Sequence, residues 1–244
     1  MQQSNAYIIV FTAILTIVVG GLLSFTSEIL KPYQKKSIEL DTKTQILTAV
    51  MELEKGSDIL GIYNTKIESV VVDINGAPVE LDRKGNPIVP EEVNILKNYK
   101  MDPESRNYPV FKYMSEEGKV EAYIFPVYGN GLWDKIWGYV ALEEDMNTIK
   151  GVAFDHKAET PGLGQRIQTA EVQNRYKGKK VYDASGELVS VTMVKGEGKG
   201  QPISDNQVDG MSGATLTGNG VNKMLMGYLT AYEAYMNNVK KGNN

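Results

Sequence analysis

The sequence contains no cysteine and a single histidine, His156. Without cysteine there is no disulfide, no thiolate nucleophile, no iron–sulfur cluster and no zinc–thiolate site. With one histidine, a metal site would have to be built from carboxylates around a hard cation; no metal ligand is assigned. Any redox chemistry must therefore use an organic cofactor or a partner's redox centre. Strong charge is lacking too: 26 Lys and Arg against 30 Asp and Glu leave a net charge of −4 at pH 7, which provides no basic footprint for nucleic acid.

The chain also begins without charge. No charged side chain precedes Glu28, and Ala6–Phe25, AYIIVFTAILTIVVGGLLSF, is nearly unbroken apolar sequence. At about 1.5 Å per residue this run makes about 30 Å of helix, the thickness of a bilayer core. Residues 1–27 read as an uncleaved transmembrane anchor, because the run exceeds a signal-peptide core, lacks a basic region before it and has no Ala-x-Ala site after it. With no charged residue inside, the span offers no ion ligand beyond hydroxyls and backbone. Lys31, Lys35 and Lys36 follow it, and by the positive-inside rule they favour a cytoplasmic body.

Pro32 is expected to interrupt any helix leaving the membrane. A second helix is expected over Leu40–Leu53, with Asp41 as N-cap and Ile46, Leu47, Val50, Met51 and Leu53 at helical spacing, docked on the chain's own domain. Residues 28–66 thus read as a helical connector. From Ile67 the pattern turns to strands: IESVVVDI and APVEL around an Asn75-Gly76 hairpin turn, then KVEAYIFPVY, IWGYVALE, TIKGVAFD and ELVSVTMV. Arg166–Tyr176 reads as a helix, as does a long segment from about Leu216 or Gly218 to Val239 with Met224, Leu225, Tyr228, Leu229, Tyr232 and Met236 on one face. The polar tail KKGNN should fray. The fold class is α+β: one transmembrane helix followed by one mixed domain over residues 67–244.

Chemistry is most legible in Val208–Met224, VDGMSGATLTGNGVNKM. Gly213 to Gly218 has P-loop spacing, but Asn219 and Gly220 stand where Lys and a hydroxyl belong. Gly218-Asn219-Gly220 likewise fails the dinucleotide fingerprint, because Lys223 occupies the third glycine position. What remains is a glycine-flanked run of hydroxyls, Ser212, Thr215 and Thr217, entering a long helix. Free amides and the helix dipole favour an anion there; an ordinary Ser or Thr N-cap, the commoner use of such residues, fits equally. Trp133, Trp137 and Tyr139 read as core aromatics. Asp155-His156 with Ser212 lacks the nucleophile elbow of a hydrolase, and no catalytic residue is assigned.

Asp209-Gly210-Met211-Ser212-Gly213-Ala214-Thr215 resembles the D-x-x-S/T-G-A-T pattern of domains that carry flavin mononucleotide (FMN) as a phosphoester on the last threonine. GNGLW (Gly129–Trp133), GYVAL (Gly138–Leu142) and AETPGLG (Ala158–Gly164) extend the likeness from Ala6 to about Val239. Together they resemble the C subunits (NqrC) of the Na⁺-translocating NADH:quinone reductases, with the G subunit of Rnf-type ferredoxin:NAD reductases as a related alternative. A membrane-tethered binding or assembly module without redox function is the alternative of another class. The resemblance implies covalent FMN on Thr215, installed by a flavin transferase. The threonine oxygen bonds to phosphorus of the FMN half of FAD, the bond to AMP breaks, and AMP leaves.

Further implications follow from the same likeness. Asp209, Ser212, Gly213 and Ala214 belong to the attachment motif, Asp209 with the alternative of capping the turn. Glu159, Thr160, Gly162, Leu163 and Gly164 form the far side of the cofactor pocket, Leu163 against the ring; the alternative is a plain Pro-Gly turn. Lys195 would balance the phosphate charge, although an isolated lysine is more often simply solvated. The implied function is electron relay within a sodium-exporting NADH:quinone oxidoreductase, alongside its A, B, D, E and F subunits and membrane lipid. The implied location is the bacterial inner membrane with a periplasmic body. We follow that placement over the three lysines, since the motifs are the more specific signal.

Overall fold

In the computed structural model, residues 4–82, 84–198 and 203–242 are described. The chain divides between Thr42 and Lys43 into two compact units. The first contains most of α1 (Asn5–Thr48), whose most apolar stretch has a mean hydropathy of 2.6 and no buried residue. Ile8, Ile9, Ile17, Leu22 and Leu23 are all exposed. A helix apolar all round is suited to lipid, and this one is long and apolar enough to span a membrane.

The break expected at Pro32 is absent, for Pro32 lies inside α1. Proline removes one donor from the ladder, and the helix-forming residues on both sides carry the helix past it. Asp41 therefore lies within α1 and is not an N-cap. The helix ends at Thr48, before Leu53, and α2 (Ile59–Lys66), N-capped by the Asp58 side chain, follows.

The second unit is built on a five-stranded antiparallel sheet in sequence order. Its strands are β1 (Ile67–Val72), β2 (Tyr108–Met114), β3 (Val120–Asn130), β4 (Lys135–Glu143) and β5 (Ile149–His156). A short helix, α3 (Ile95–Tyr99), precedes β2. Period-two alternation sends neighbouring side chains to opposite faces. Val110, Phe125, Val140 and Phe154 join the larger core, whereas Phe111, Ile124, Ala141 and Ala153 join a second cluster with Ile46, Leu47 and Tyr63. Both faces are thus covered, and Gly151 is tight against the backbone: a Cβ there would meet the Ala49 carbonyl at 2.6 Å.

The larger core is closed by the long C-terminal helix, whose Val221, Leu225, Leu229, Tyr232 and Met236 are buried. Before it come α4 (Ala170–Gln173) and two short strands, β6 (Thr192–Met193) and β7 (Gln207–Val208), paired in parallel. The long helix, α5, spans Thr215–Lys240. An α+β domain with an N-terminal apolar helix is the class expected from sequence.

Several elements depart from expectation. The Asn75-Gly76 turn forms, with Gly76 at φ +77°, but APVEL supplies only isolated bridges, from Pro78 to Val72 and from Leu81 to Pro87, proline having no donor for a ladder. Strand β2 has no counterpart among the expected strands. Arg166–Tyr176 is split into a 3₁₀ turn, α4 and another 3₁₀ turn, because Thr169 is extended and its hydroxyl bonds the Arg166 carbonyl. Of Glu187–Val194 only β6 is ladder-paired, since Ser190 takes φ +60°. Lys240 ends α5 and the Lys241 amide caps it, so they are not frayed; the last two residues of the tail lie outside the described residues.

Candidate functional site

The attachment motif folds as a tight turn into α5. Gly210 permits close approach, as a Cβ there would meet the Val194 and Gly196 carbonyl oxygens at 2.1 and 2.3 Å. Gly213 takes φ +74°, the left-handed region in which glycine is least strained. The helix then begins without a side-chain cap. Ala214 is the N-cap residue, and neither Ser212 nor Thr215 fills that role.

Consequently the Thr215, Leu216 and Thr217 amides find no acceptor among the described residues, the first closing bond being Gly218 N–H to the Ala214 carbonyl at 3.0 Å. Thr215 is exposed, and its hydroxyl has no hydrogen-bond partner among them. Free amides at the positive end of a 26-residue helix, beside an accessible hydroxyl, suit a phosphate group.

Beneath this turn lies a buried carboxylate. Glu159, 4% exposed, accepts the Thr217 hydroxyl at 2.5 Å and the Trp133 amide at 2.9 Å. It thereby joins the β3–β4 turn, the 159–164 loop and the first turn of α5. Gly164 leaves the room required: a Cβ there would be 2.5 Å from both the Glu159 Oε2 and Thr217 Oγ1 atoms. The loop is closed by Leu163 and Gln165 amides donating to the Thr160 carbonyl, and Gly162 takes φ +74°. Leu163 is 40% exposed and borders Gly213, whose added Cβ would touch Leu163 Cδ2 at 2.8 Å.

Trp133 corrects the sequence reading. It is 68% exposed rather than core, and its indole Nε1 donates to Thr160 Oγ1 at 3.1 Å. The structure thus assembles Thr215, Thr217, Glu159, Thr160, Gly162, Leu163, Gly164 and Trp133. Of these, Thr217 and Trp133 are not among the site residues that the sequence marks. Trp133 could have been found as an aromatic inside a Gly-x-Gly-Leu-Trp turn, where exposure is normal; Thr217 is visible in the hydroxyl run, but nothing local points to Glu159 as its partner.

A charge network supports the other flank. Glu197 accepts from Arg166 Nη1 and Nη2, at 2.9 and 2.5 Å, from Arg175 Nη2 at 2.7 Å and from the Ser212 amide at 3.0 Å. The Arg166 hydrogen bonds first, then the Ser212 amide, hold its carboxyl well below the usual carboxylate range. Arg175 also donates to the Gly210 carbonyl at 2.6 Å, while Asp209 accepts the Gly198 amide at 2.7 Å and its neighbour's amide at 3.1 Å. Asp209 therefore clasps the 194–198 segment and does not cap α5. Lys195 is exposed, and no hydrogen bond or ion pair holds it among the described residues.

Among the described residues no triad assembles. Asp155 bonds the His156 amide and Gln45, the imidazole Nδ1 accepts the Glu159 amide at 3.1 Å, and Ser212 takes no part.

Comparison with known proteins converges on one family. Residues 131–230, which hold every side chain named above except Gln45, match the family model described as FMN-binding domain. The chain is 28% identical to the C subunit of the Na(+)-translocating NADH-quinone reductase of Pseudomonas aeruginosa, over 99% of this chain and 98% of that one. It is 31% identical to the protein of the same name in Neisseria meningitidis serogroup A, over 86% and 85% respectively. A crystal structure of the C subunit from Parabacteroides distasonis superposes with a TM-score of 0.73 at 35% identity, covering 85% of this chain and 96% of that one. The Shewanella oneidensis NqrC structure gives 0.69 at 28% identity, covering 84% and 99%. Identity of this extent along nearly whole chains, joined to a shared fold, shows that the chain belongs to the NqrC family, the C subunits of the Na⁺-translocating NADH-quinone reductases.

Proposed function

We propose that this chain is the electron-transfer subunit of a membrane Na⁺-translocating NADH–quinone reductase and that it carries FMN as a phosphoester on Thr215. The observation that carries the covalent reading is the start of α5. An exposed threonine hydroxyl stands at the first helical position, the side-chain cap is missing, and three amides lack acceptors among the described residues. A phosphoester satisfies those amides and puts its negative charge at the positive helix end. It also needs no lysine to hold it, which accounts for the failed P-loop pattern. Bound here, FMN supplies one- and two-electron redox chemistry that a chain without cysteine cannot supply itself.

The residues of the pocket fit the remainder of the cofactor. Leu163 offers a half-exposed apolar surface beside Gly213, and Trp133 offers an exposed aromatic face fixed by Thr160. Glu159 holds the Trp133 backbone and the Thr217 side chain through its buried hydrogen bonds and, with both oxygens engaged inside the protein, is a positioning group rather than a ligand. Glu197, Arg166 and Arg175 hold the Asp209–Ser212 backbone in place. Lys195, free to swing, balances the phosphate charge. Residues 1–27 anchor the chain and residues 28–66 connect it to the 67–244 domain, on the periplasmic side of the inner membrane. The A, B, D, E and F subunits surround it, and a flavin transferase matures it. Sodium passage belongs to those other subunits, since Ala6–Phe25 holds no charged side chain.

The test is acid precipitation of the natively produced protein. Flavin absorbance should stay with the pellet in wild type and be lost in Thr215→Val, the latter remaining folded. Flavin in the supernatant of the wild type, or in the Thr215→Val pellet, contradicts the reading. External protease on spheroplasts checks the orientation, protection of the domain being the contrary result.

A further inference from the structure

Past its first turns, α5 borders an open groove distinct from the Thr215 site. It consists of two hollows, of 240 and 560 Å³, that share Arg106, Gly227 and Ala231 as lining residues. The first hollow is also lined by Tyr99, Tyr128, Lys223 and Tyr228.

Two features bear on what the groove could hold. Positive charge is concentrated here in a chain of net charge −4. Arg106 and Lys135 lie over the Tyr99 ring at 5.7 and 5.5 Å, Arg106 also donating to the Tyr99 and Met101 carbonyls and Lys135 to the Asn130 side chain; Lys223 is exposed nearby, and none of the three joins an ion pair among the described residues. Of the acidic groups close by, Asp134 pairs with Lys157 at 2.9 Å, and Glu233 lines only the second hollow.

The second feature is Gly227. Glycine inside a helix is destabilising relative to alanine, and elsewhere in α5 packing requires it: a Cβ on Gly218 would lie 2.9 Å from Met193 Sδ, and one on Gly220 2.4 Å from the Asn130 carbonyl. A Cβ on Gly227 would meet nothing within 4 Å among the described residues. No contact among them calls for glycine there, and the bare, exposed backbone leaves room for a second chain to approach closely.

We propose that this groove seats an acidic polypeptide segment from another subunit. Its backbone lies over Gly227 and Ala231, and a carboxylate reaches Arg106 and Lys223. The proposal rests on the reading of the chain as one subunit among several, and is independent of how the flavin is attached.

The test uses the full-length chain produced with the remaining subunits, one of which carries the affinity tag. Lys223→Glu, Gly227→Ala and Gly227→Gln leave every hydrogen bond described above in place. The two Gly227 substitutions should raise the thermal stability of the chain while its recovery with the tagged subunit falls with side-chain size, by about tenfold for Gln. Lys223→Glu should lower recovery by a similar factor, and wild-type recovery should drop as salt rises. Flavin fluorescence of the chain in a denaturing gel should be the same in all. Wild-type recovery for both Lys223→Glu and Gly227→Gln overturns the proposal, as does normal assembly combined with lost binding of added citrate, which would make the groove a small-anion site. Absence of flavin from the wild type would count instead against the attachment at Thr215 and leave the recovery readout intact.

Discussion

Replacing Thr217 by valine keeps the side-chain shape but removes the hydroxyl that Glu159 accepts at 2.5 Å in a site where Thr217 is 1% exposed. A hydrogen bond to a charged group is worth about 1.5–3 kcal/mol, and the bereaved oxygen keeps no other partner among the described residues, so a loss of about 3 kcal/mol is expected. For a domain of this size each kcal/mol moves Tm by about 2–4 °C, giving a fall of about 9 °C. Thr217→Ser retains the donor and loses one buried methyl, about 1 kcal/mol or about 3 °C. Melting of the detergent-solubilised full chain, followed by near-ultraviolet circular dichroism, measures both. The flavin spectrum should shift in the valine variant alone, because the 159–164 loop and Trp133 are tethered through Glu159. If the two variants melt within about 1 °C of each other, the buried bond does not hold the site together.

Glu197→Gln should cost about 1–2 kcal/mol, discounted for partial solvent access, as two arginines lose their shared anion. Because the folded state depresses the Glu197 pKa, its contribution is fully present above the unfolded value near about 4.3 and declines as pH falls below it; the variant's acid melting curve should be flatter there, and identical slopes would refute the network's role. Gly164→Ala forces a Cβ to within 2.5 Å of Glu159 and Thr217 oxygens and should destabilise by about 1–3 kcal/mol in a urea titration. Trp133→Ala, at a residue 68% exposed, should leave stability within about 0.5 kcal/mol but change flavin fluorescence; a large drop in stability with unchanged fluorescence would make it a structural residue.

Those residues also mark where sequence suffices. The apolar run at the start of α1, strands β3 to β5 and helix α5 carry strong periodicity over many residues, and local pattern determines them. Strand β2 is hidden by Pro109, whose carbonyl instead accepts the Tyr232 hydroxyl at 2.8 Å, a contact between residues far apart in sequence. Pro32 misleads because a single lost donor does not end a long helix. At the site, the Asp209–Thr215 motif and the Glu159–Gly164 loop are visible as short patterns. Glu197, Arg166 and Arg175 meet only through the fold, with 31 and 22 residues separating the two arginines from Glu197. The exposure of Trp133 and the partner of Thr217 depend on the same tertiary closeness.

The central claim is the ester bond at one oxygen. Peptide mass mapping of the natively produced chain should find the peptide containing Asp209–Thr215 heavier by one FMN less water, with fragmentation placing the addition on Thr215. The unmodified peptide alone, or an addition on Ser212, contradicts it.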